Sequence, residues 1–440
     1  MGYLIPVLRE KFKDSKIIAL HADSSFREQC GYTEKVSALH CAQDSNVQDF
    51  LEKEIPDTDT SRIRIIEWRP SLNYYREAYV KLLSQAVEFI KRADAGKRTV
   101  SAFGRRWVKN FFRNLGIIEQ TLLCKTADIP VIITGSGPGL EKALPAIRET
   151  REQTLLIASS SSTMALANGG ITPDIVIAAD GGAWALRHFY PYFRTGGSSA
   201  LAANLCAALP SQCALMPVLI INDGSFWQSI ALHELSLPSV MISQKGTVTA
   251  AAVELALQLS GGNIYLAGMD LSARDIRTHA RPYSFDHLFF EKACRFTPVY
   301  SQGFTRSRLL KEGGSLDIYT AWFKNALLSW PKRIFSLTDS SAAFEKARSI
   351  SGAQSAAHYA NVKKSVCFKT SVSDSRFFPK RAGEALCAAL KNREYASGLK
   401  KELSAMLFPQ EKDAAYSELE KEILAISGRT SRLKEEAVNE

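Results

Sequence analysis

The sequence lacks any long apolar run. Its apolar start, Tyr3 to Leu8, meets Arg9, Glu10 and Lys11 at once, so it is too short for the apolar core of a secretory signal. No stretch approaches the ~18 apolar residues of a membrane-spanning helix. We therefore expect a cytoplasmic protein without a membrane span.

The sequence also lacks paired cysteines. Its eight cysteines are scattered over 440 residues and form no Cys-x-x-Cys pair, which argues against a disulfide framework and against a zinc site. We expect free thiols and no dedicated metal site.

Acidic residues are the minority charge, and the formal net charge is +10. This favours anionic partners, but phosphorylated small molecules, nucleic acids and acidic proteins satisfy it equally. The basic stretch Lys91 to Arg113 contains Phe103, Trp107 and Phe111, an arrangement that also occurs where single-stranded nucleic acid stacks on aromatic rings. The four-residue spacing favours one helix face packed on the core instead, so we expect no specific nucleic-acid partner.

A chain of 440 residues exceeds what one hydrophobic core usually organises, so several domains are expected. The patterns predict a partial N-terminal Rossmann-like domain at 1–73, a helical connector at 74–125, a central α/β domain at 126–330 and a mainly helical region at 331–440. In the first of these, Leu4–Phe12 predicts a helix, and Ile17–Leu20 and Ile63–Ile66 predict strands. With Gly2 almost at the start, we expect this unit to lack its first strand.

The central region alternates strands with helices, which is typical of a parallel sheet covered on both faces. Strands are predicted at Val131–Thr134, Leu155–Ala158, Ile175–Ala179, Val218–Ile221, Val240–Ile242 and Ile264–Ala267, and helices at Leu140–Arg151, Thr163–Ala167 and Thr247–Leu259. Ligands of such sheets bind at the carboxyl ends of the strands. Beyond about Pro331 we expect no further strands, a loose connection over Ser349–Ser373, and helices from Ala382 to Glu440.

A glycine-rich turn follows the first central strand and opens a helix. It reads Gly135-Ser136-Gly137-Pro138-Gly139, and its backbone N–H groups and positive helix end suit a phosphate. Leu140 breaks the dinucleotide fingerprint, and no Gly-Lys-Ser/Thr follows for a phosphate loop. Two further segments offer related groups: Ser160 and Ser161 follow the second strand with hydroxyls for a ribose or sugar, and Gly246-Thr247 opens another helix.

Three side chains are candidates for acid–base work at the strand ends. Asp180 follows the third strand beside two glycines, Asp270 follows Gly268-Met269, and His279 lies shortly beyond it. A carboxylate can orient a ligand, contact a metal or accept a proton, and a histidine can deprotonate a hydroxyl. Mg²⁺ assistance through Asp180 and Asp270 is possible, although no ligand cluster demands it.

Together these segments resemble the motility-associated factor family, whose central domain is shared with 6-hydroxymethylpterin diphosphokinase-like proteins. The resemblance rests on the order and spacing of four motifs, supported by a helical lead-in; they are Gly135–Gly139, Gly170–Asp174 with Asp180, Gly246–Val248, Gly268–Ser272 with His279, and the lead-in Phe103–Trp107 with Asn110 and Asn114. It covers residues 1 to about 330. The sequence has Gly139 where the family usually has serine, which removes one hydroxyl from the loop.

The resemblance implies a sialyltransferase-like central domain. It also implies transfer of a nonulosonic acid, pseudaminic or legionaminic, from its CMP-activated form to serine or threonine of flagellin. No further cofactor is then required. In this interpretation the glycine loop and the Gly246 helix terminus hold the CMP phosphate, the serines and Asp180 orient the ribose or sugar, and His279 or Asp270 deprotonates the acceptor.

Two other functions remain open at this point. Pyrophosphate transfer from ATP to a pterin would require Mg²⁺ between phosphates and carboxylates. A flagellin-binding scaffold with a degenerate nucleotide site would bind its partner without catalysis, and replacing Asp180 by Asn would leave that binding intact.

Overall fold

The computed structural model describes most of the chain. The described residues are 2–29, 31, 33–41, 44, 46–55, 63–197, 199–243, 247–273, 276–312, 315–339, 344–347, 350, 367–371, 375–411 and 414–439. They form two compact units, Met1–Gly104 and Arg105–Glu440. No helix in the described ranges has the length and apolar character that crossing a membrane requires.

The first unit contains a small parallel sheet with short helices. Its elements are α1 (Leu4–Lys11), β1 (Ile18–His21), α2 (Phe26–Gln29), β2 (Ala38–Cys41), α3 (Val47–Glu54) and α4 (Arg69–Tyr74). β1 and β2 pair in parallel. The strand predicted at Ile63–Ile66 is wrong: these residues have no regular secondary structure, and Ile65 and Ile66 are exposed. In the described part of the first unit, no neighbouring strand satisfies the backbone of this segment or buries its side chains.

A long helix, α5 (Arg76–Ile117), follows. The aromatic face predicted from its spacing is confirmed at Phe111, which is fully buried beside Phe112, but Phe103 is 41% exposed. Phe111 also packs edge-on against Trp227, with ring centroids 4.7 Å apart. On this face Phe111 therefore belongs to the core, whereas Phe103 reaches solvent.

The second unit alternates strands and helices as the sequence predicts. In chain order its elements up to the last central strand are β3 (Gln120–Cys124), β4 (Val131–Thr134), α6 (Leu140–Glu149), β5 (Leu155–Ser159), α7 (Thr163–Asn168), β6 (Ile175–Ala178), α8 (Phe189–Arg194), β7 (Ala200–Asn204), β8 (Val218–Asn222), α9 (Phe226–Glu234), β9 (Ser239–Met241), α10 (Val248–Leu259) and β10 (Ile264–Ala267). All six predicted central strands and all three predicted helices are confirmed within one or two residues. β3 and β7 were not predicted, because alanine dominates Ala200–Asn204 and a polar pair opens Gln120–Cys124.

The remaining elements combine helices with three more strands. They are α11 (Asp286–Glu291), α12 (Val299–Glu312), α13 (Ser315–Ser329), β11 (Ile334–Ser336), β12 (Glu345–Lys346), β13 (Cys367–Ser371), α14 (Phe378–Lys391), α15 (Ala396–Leu407) and α16 (Tyr416–Asn439). The expectation that strands end near Pro331 is therefore wrong. The predicted loose connection at 349–373 falls mostly outside the described residues, and its described part at 367–371 is a strand. The helical C-terminal region is confirmed.

One sheet of eleven strands organises this unit. Its order is β12-β11-β10-β4-β5-β6-β7-β8-β3-β13, with β9 also paired to β8. Every pair is parallel except β13 with β3. The chain runs outward from β4 to β8 and then returns to the other side of β4 at β10. This reversal creates a crevice at the carboxyl ends of β4 and β10, where ligands of open α/β sheets bind.

Apolar side chains cover both faces of the sheet. One cluster packs α10 against one face through residues such as Val253 and Leu255. The other packs α6 and α7 against the opposite face through Leu140, Ile147 and Leu166. The strands β4, β5 and β6 are buried at every residue, so the predicted two-sided α/β packing is confirmed.

Candidate functional site

The glycine loop packs directly against the loop that follows β10. Gly135 N–H donates to Ala267 O at 2.9 Å and Gly137 N–H donates to Gly268 O at 2.7 Å. A Cβ on Gly135 would lie 2.7 Å from Gly268 O, and a Cβ on Gly268 would lie 2.6 Å from Gly135 O. These glycines are therefore required by the close approach of two backbones, independently of any ligand.

Asp270 lies beneath the glycine loop. Its side chain is 1% exposed, and Oδ2 accepts a 2.7 Å hydrogen bond from Gly139 N–H. A Cβ on Gly139 would lie 2.5 Å from the other carboxylate oxygen, so serine at this position would need a rearranged Asp270. The Asp270 carboxylate therefore accepts from a loop N–H group that we expected to bind a phosphate. Its buried position suits a role in positioning the loop better than a role in proton transfer.

The segment that carries His279 is attached to the same loop. Ala280 N–H donates to Ser136 O at 2.8 Å. Glu141, in the first turn of α6, accepts from Arg281 N–H at 2.9 Å and pairs with Arg277 at 3.1 Å. The glycine loop therefore forms one site with Asp270 and the His279 segment, which follow it by more than 100 residues in the sequence.

The His279 ring is stacked on an aromatic side chain. Its centroid lies 4.0 Å from that of Tyr283 at an interplanar angle of 14°, and Nδ1 is 2.9 Å from Thr278 Oγ1. Burial, together with the smaller effects of the nearby Arg306 guanidinium and His188, lowers the pKa of His279 to about 3. The imidazole is neutral at physiological pH and is a weak proton acceptor.

A second histidine, His188, was not predicted; its ring lies 5.6 Å from that of Tyr283, on which His279 is stacked, and we call these three residues the histidine cluster. Its Nδ1 lies 2.5 Å from Ser284 Oγ, and its ring meets Phe285 edge-on at 5.1 Å. Burial lowers the pKa of His188 to about 4, and the Asp180 carboxylate partly offsets this effect. The only sequence signal was its position shortly after the Asp180-Gly181-Gly182 turn, because its partner Ser284 lies 96 residues away.

Asp180 lies at the exposed rim of this cluster. Its Oδ1 accepts from Gly182 N–H at 2.8 Å, which fixes the turn after β6. The backbone carbonyl of Gly181 accepts from Asn110 Nδ2 at 3.2 Å, and a Cβ on Gly181 would overlap the Trp107 ring. Helix α5 therefore supports the turn that presents the Asp180 carboxylate.

The hydroxyls after β5 divide into structural and accessible groups. Ser162 Oγ lies 2.8 Å from Thr134 Oγ1 and donates to Ser159 O, so it joins the ends of β4 and β5. Ser161 is partly exposed, with Oγ 3.1 Å from Ser159 Oγ. Ser160 is almost fully buried. Among the predicted sugar-binding serines, Ser161 is the more accessible.

The structure describes only part of the second predicted helix terminus, Gly246-Thr247. Gly246 lies outside the described residues. Thr247 Oγ1 accepts from Ala250 N–H at 3.1 Å, so this hydroxyl caps α10. Within the described ranges, no group of three or more His, Cys, Asp or Glu side chains has metal-binding geometry.

Residues 105–275 match the family model described as 6-hydroxymethylpterin diphosphokinase MptE-like. An uncharacterised protein of Treponema pallidum (strain Nichols) is 29% identical over 280 residues, which cover 63% of this chain and 60% of that protein. A second uncharacterised protein of the same organism is 30% identical over 116 residues, 26% of this chain and 54% of its own length. The chain thus spans little more than half the length of these curated relatives.

Among solved structures, the MAf glycosyltransferase from Magnetospirillum magneticum AMB-1 aligns with 80% of this chain and 62% of its own, at 14% identity and a TM-score of 0.43.

Proposed function

We propose that this chain is a glycosyltransferase of the motility-associated factor family, because its residues 105–275 match the MptE-like domain of that family. Its proposed reaction moves a nonulosonic acid, pseudaminic or legionaminic, from a CMP-activated donor to serine or threonine of flagellin in the cytoplasm. The observation that carries the proposal is the junction of the glycine loop with the His279 segment, made by the 2.8 Å bond from Ala280 N–H to Ser136 O. It joins the glycine loop, proposed to bind the phosphate, to the segment of His279, one of the two proposed proton acceptors.

The donor nucleotide would bind over the carboxyl ends of β4 and β5. The Ser136 backbone N–H and hydroxyl, the Ser161 hydroxyl and the amino end of α6 are the groups that would hold phosphate and ribose. The Gly137 and Gly139 N–H groups are already bonded to Gly268 O and Asp270. In this proposal those two amides shape the loop, and the phosphate contacts come from its outer side.

The acceptor hydroxyl would be deprotonated by His188, with His279 the other candidate. The acceptor oxygen forms a bond to the anomeric carbon while the bond from that carbon to the phosphate oxygen breaks; its electron pair leaves with CMP and the acceptor proton goes to the imidazole. His188 is the stronger base because the Asp180 carboxylate favours its protonated form, whereas Arg306 disfavours that form at His279. Positioning and charge stabilisation would supply most of the catalysis.

Pyrophosphate transfer from ATP to a pterin is the second candidate, favoured by the description of the matching family model. It would use Mg²⁺ between phosphates and carboxylates, with Asp180 as the accessible carboxylate of the site. A flagellin-binding scaffold is the third candidate, with binding but no transfer.

The first experiment is thermal stabilisation of the full chain by CMP, CDP, ATP and NAD, each with and without Mg²⁺. Selective stabilisation by cytidine nucleotides supports the proposal, and transfer from CMP-pseudaminic or CMP-legionaminic acid to purified flagellin then tests it directly. Stabilisation by ATP only with Mg²⁺ supports the pterin reaction instead. Binding of flagellin without a response to any nucleotide supports the scaffold.

A further inference from the structure

A separate cleft of about 940 Å³ opens beside the carboxyl half of α5. Its walls come from α5, α16, the segment around Leu186 and Tyr190, and the loop at 209–214. This volume is within the range of small-molecule sites, roughly 300–1,000 Å³. None of the residues assigned above to the candidate functional site lines it.

Four cationic side chains line this cleft, together with the carboxylates of Glu119 and Glu422. Arg105, Lys109 and Arg113 follow one another at four-residue intervals on α5, so they share a helix face, and Arg429 approaches from α16. Arg105 pairs with Glu422 at 2.5 Å. In the described part of the chain, no carboxylate lies within ion-pair distance of Lys109, Arg113 or Arg429.

Arg113 is positioned to receive an anion. One of its terminal nitrogens donates to Leu209 O at 2.7 Å, whereas a guanidinium has five N–H donors. Desolvation lowers the pKa of Arg113, although the residue as a whole is exposed, so the cation loses part of its hydration without gaining a carboxylate in the described structure. An anionic group in the cleft would restore that lost solvation.

Apolar side chains also line the cleft. Leu209, Pro210 and Ile426 are buried, whereas Leu186 is partly exposed and Tyr190 is 48% exposed. A ligand with an apolar or aromatic body next to its charge would cover the Leu186 and Tyr190 surface, which an inorganic anion leaves in water. We propose that this cleft is a binding site for a small organic anion, with a phosphate or carboxylate on Arg113 and Lys109 and a ring against Tyr190.

Isothermal titration of the full chain with phenyl phosphate, benzoate and inorganic phosphate tests this proposal. Saturable binding of phenyl phosphate or benzoate is expected, and their relative affinities distinguish a phosphate from a carboxylate ligand. Arg113→Gln should weaken the better probe by about tenfold or more, because it removes charge-assisted hydrogen bonds. Lys109→Gln, at an exposed position, should weaken it in the same direction even if Arg113→Gln fails to fold.

Lys421→Gln is the matched control. It removes the same charge from an exposed position of α16 that does not line the cleft, so binding should be unchanged. The proposal is overturned if neither organic probe saturates, if inorganic phosphate binds as tightly as both of them, or if Arg113→Gln and Lys109→Gln bind like the wild-type chain.

Discussion

Gly139 N–H donates to Asp270 Oδ2 at 2.7 Å, across 131 residues of sequence. This bond joins the start of α6 to the loop after β10, at the point where the strand order reverses. The Gly139 amide is therefore already bonded to a carboxylate before any ligand binds. The glycines of the loop are therefore best understood through this internal contact, and a ligand must use the groups that remain.

Replacing Asp270 by Ala should destabilise the second unit. The substitution leaves the Gly139 N–H buried without its acceptor, which costs about 1–3 kcal/mol in unfolding free energy. Urea denaturation followed by circular dichroism measures the change. Glu394→Ala removes an exposed carboxylate from the same unit and should change the unfolding free energy by less than about 0.5 kcal/mol. Equal effects of the two substitutions would contradict the loop-positioning role.

Replacing Gly137 by Ala should open the glycine loop. The added Cβ would overlap the Asp270 carboxylate and lie 2.7 Å from Gly268 O, so the two loops must separate at a cost of about 1–3 kcal/mol. Gly428→Ala is the control, because its Cβ would meet nothing within 4 Å and alanine favours the helix by up to about 1 kcal/mol. Opposite shifts in melting temperature are expected, and a neutral Gly137→Ala would refute the tight loop contact.

Much of the fold could be predicted from the sequence because β4, β5, β6, β8 and β10 are short apolar runs between clear turn signals. The missed strands have physical explanations. Ala200–Asn204 lacks the β-branched residues of its neighbours, and Cys367–Ser371 becomes a strand only through antiparallel pairing with Gln120–Cys124. The pattern of apolar residues within a segment does not reveal a pairing strand that lies far away in the sequence.

The candidate site was predictable in part for a similar reason. The parallel topology brings the strand-end motifs together, so the glycine loop, Asp270 and His279 were expected at one edge and do meet there. Their individual contacts were not predictable. The setting of His188 depends on its contact with Ser284 and on the nearby Asp180 carboxylate. Asp270 accepts a hydrogen bond from an N–H group of the loop that was expected to bind a phosphate.

The histidine cluster should make stability depend on pH. The pKa values of His188 and His279 are lowered to about 4 and about 3, below the ordinary value near 6.5. The unfolded chain therefore binds protons at higher pH than the folded chain. Their contribution to stability is complete above about pH 6.5 and is lost as the pH falls toward 4, by at most about 1.4 kcal/mol per pH unit for each ring.

Urea denaturation at pH 4.5, 5.5, 6.5 and 7.5 measures this dependence. Other titrating groups contribute as well, so the relevant quantity is the difference between the wild-type chain and the His188→Asn/His279→Asn double variant. The wild-type chain should lose more stability than the variant between pH 6.5 and 4.5. Equal losses of stability in the two proteins would show that folding does not lower the pKa values of the two rings.

Replacing Asn114 by Asp should destabilise the loop after β7. The Asn114 side chain is fully buried, and Nδ2 donates to Leu205 O at 2.7 Å and Ala207 O at 2.8 Å. A carboxylate there faces two carbonyl oxygens without a proton to offer, so a loss of about 3 kcal/mol or more in unfolding free energy is expected. Asn168→Asp, exposed at the end of α7, is the control and should stay within about 0.5 kcal/mol. A tolerated Asn114→Asp would contradict the buried donor geometry.

The base assignment can be tested by comparing His188→Asn with His279→Asn in flagellin transfer assays. Removing a general base typically costs 10²–10⁴-fold in rate. We expect His188→Asn to lower kcat by about that factor and to leave stabilisation by cytidine nucleotides unchanged, because the ring accepts the proton without holding the donor. His279→Asn should act mainly on stability, because its ring is stacked on Tyr283 and faces the Arg306 cation, which disfavours protonation. A larger loss of kcat in His279→Asn than in His188→Asn would reverse the assignment, and it would mean that the acceptor approaches from the Arg306 side of the cluster.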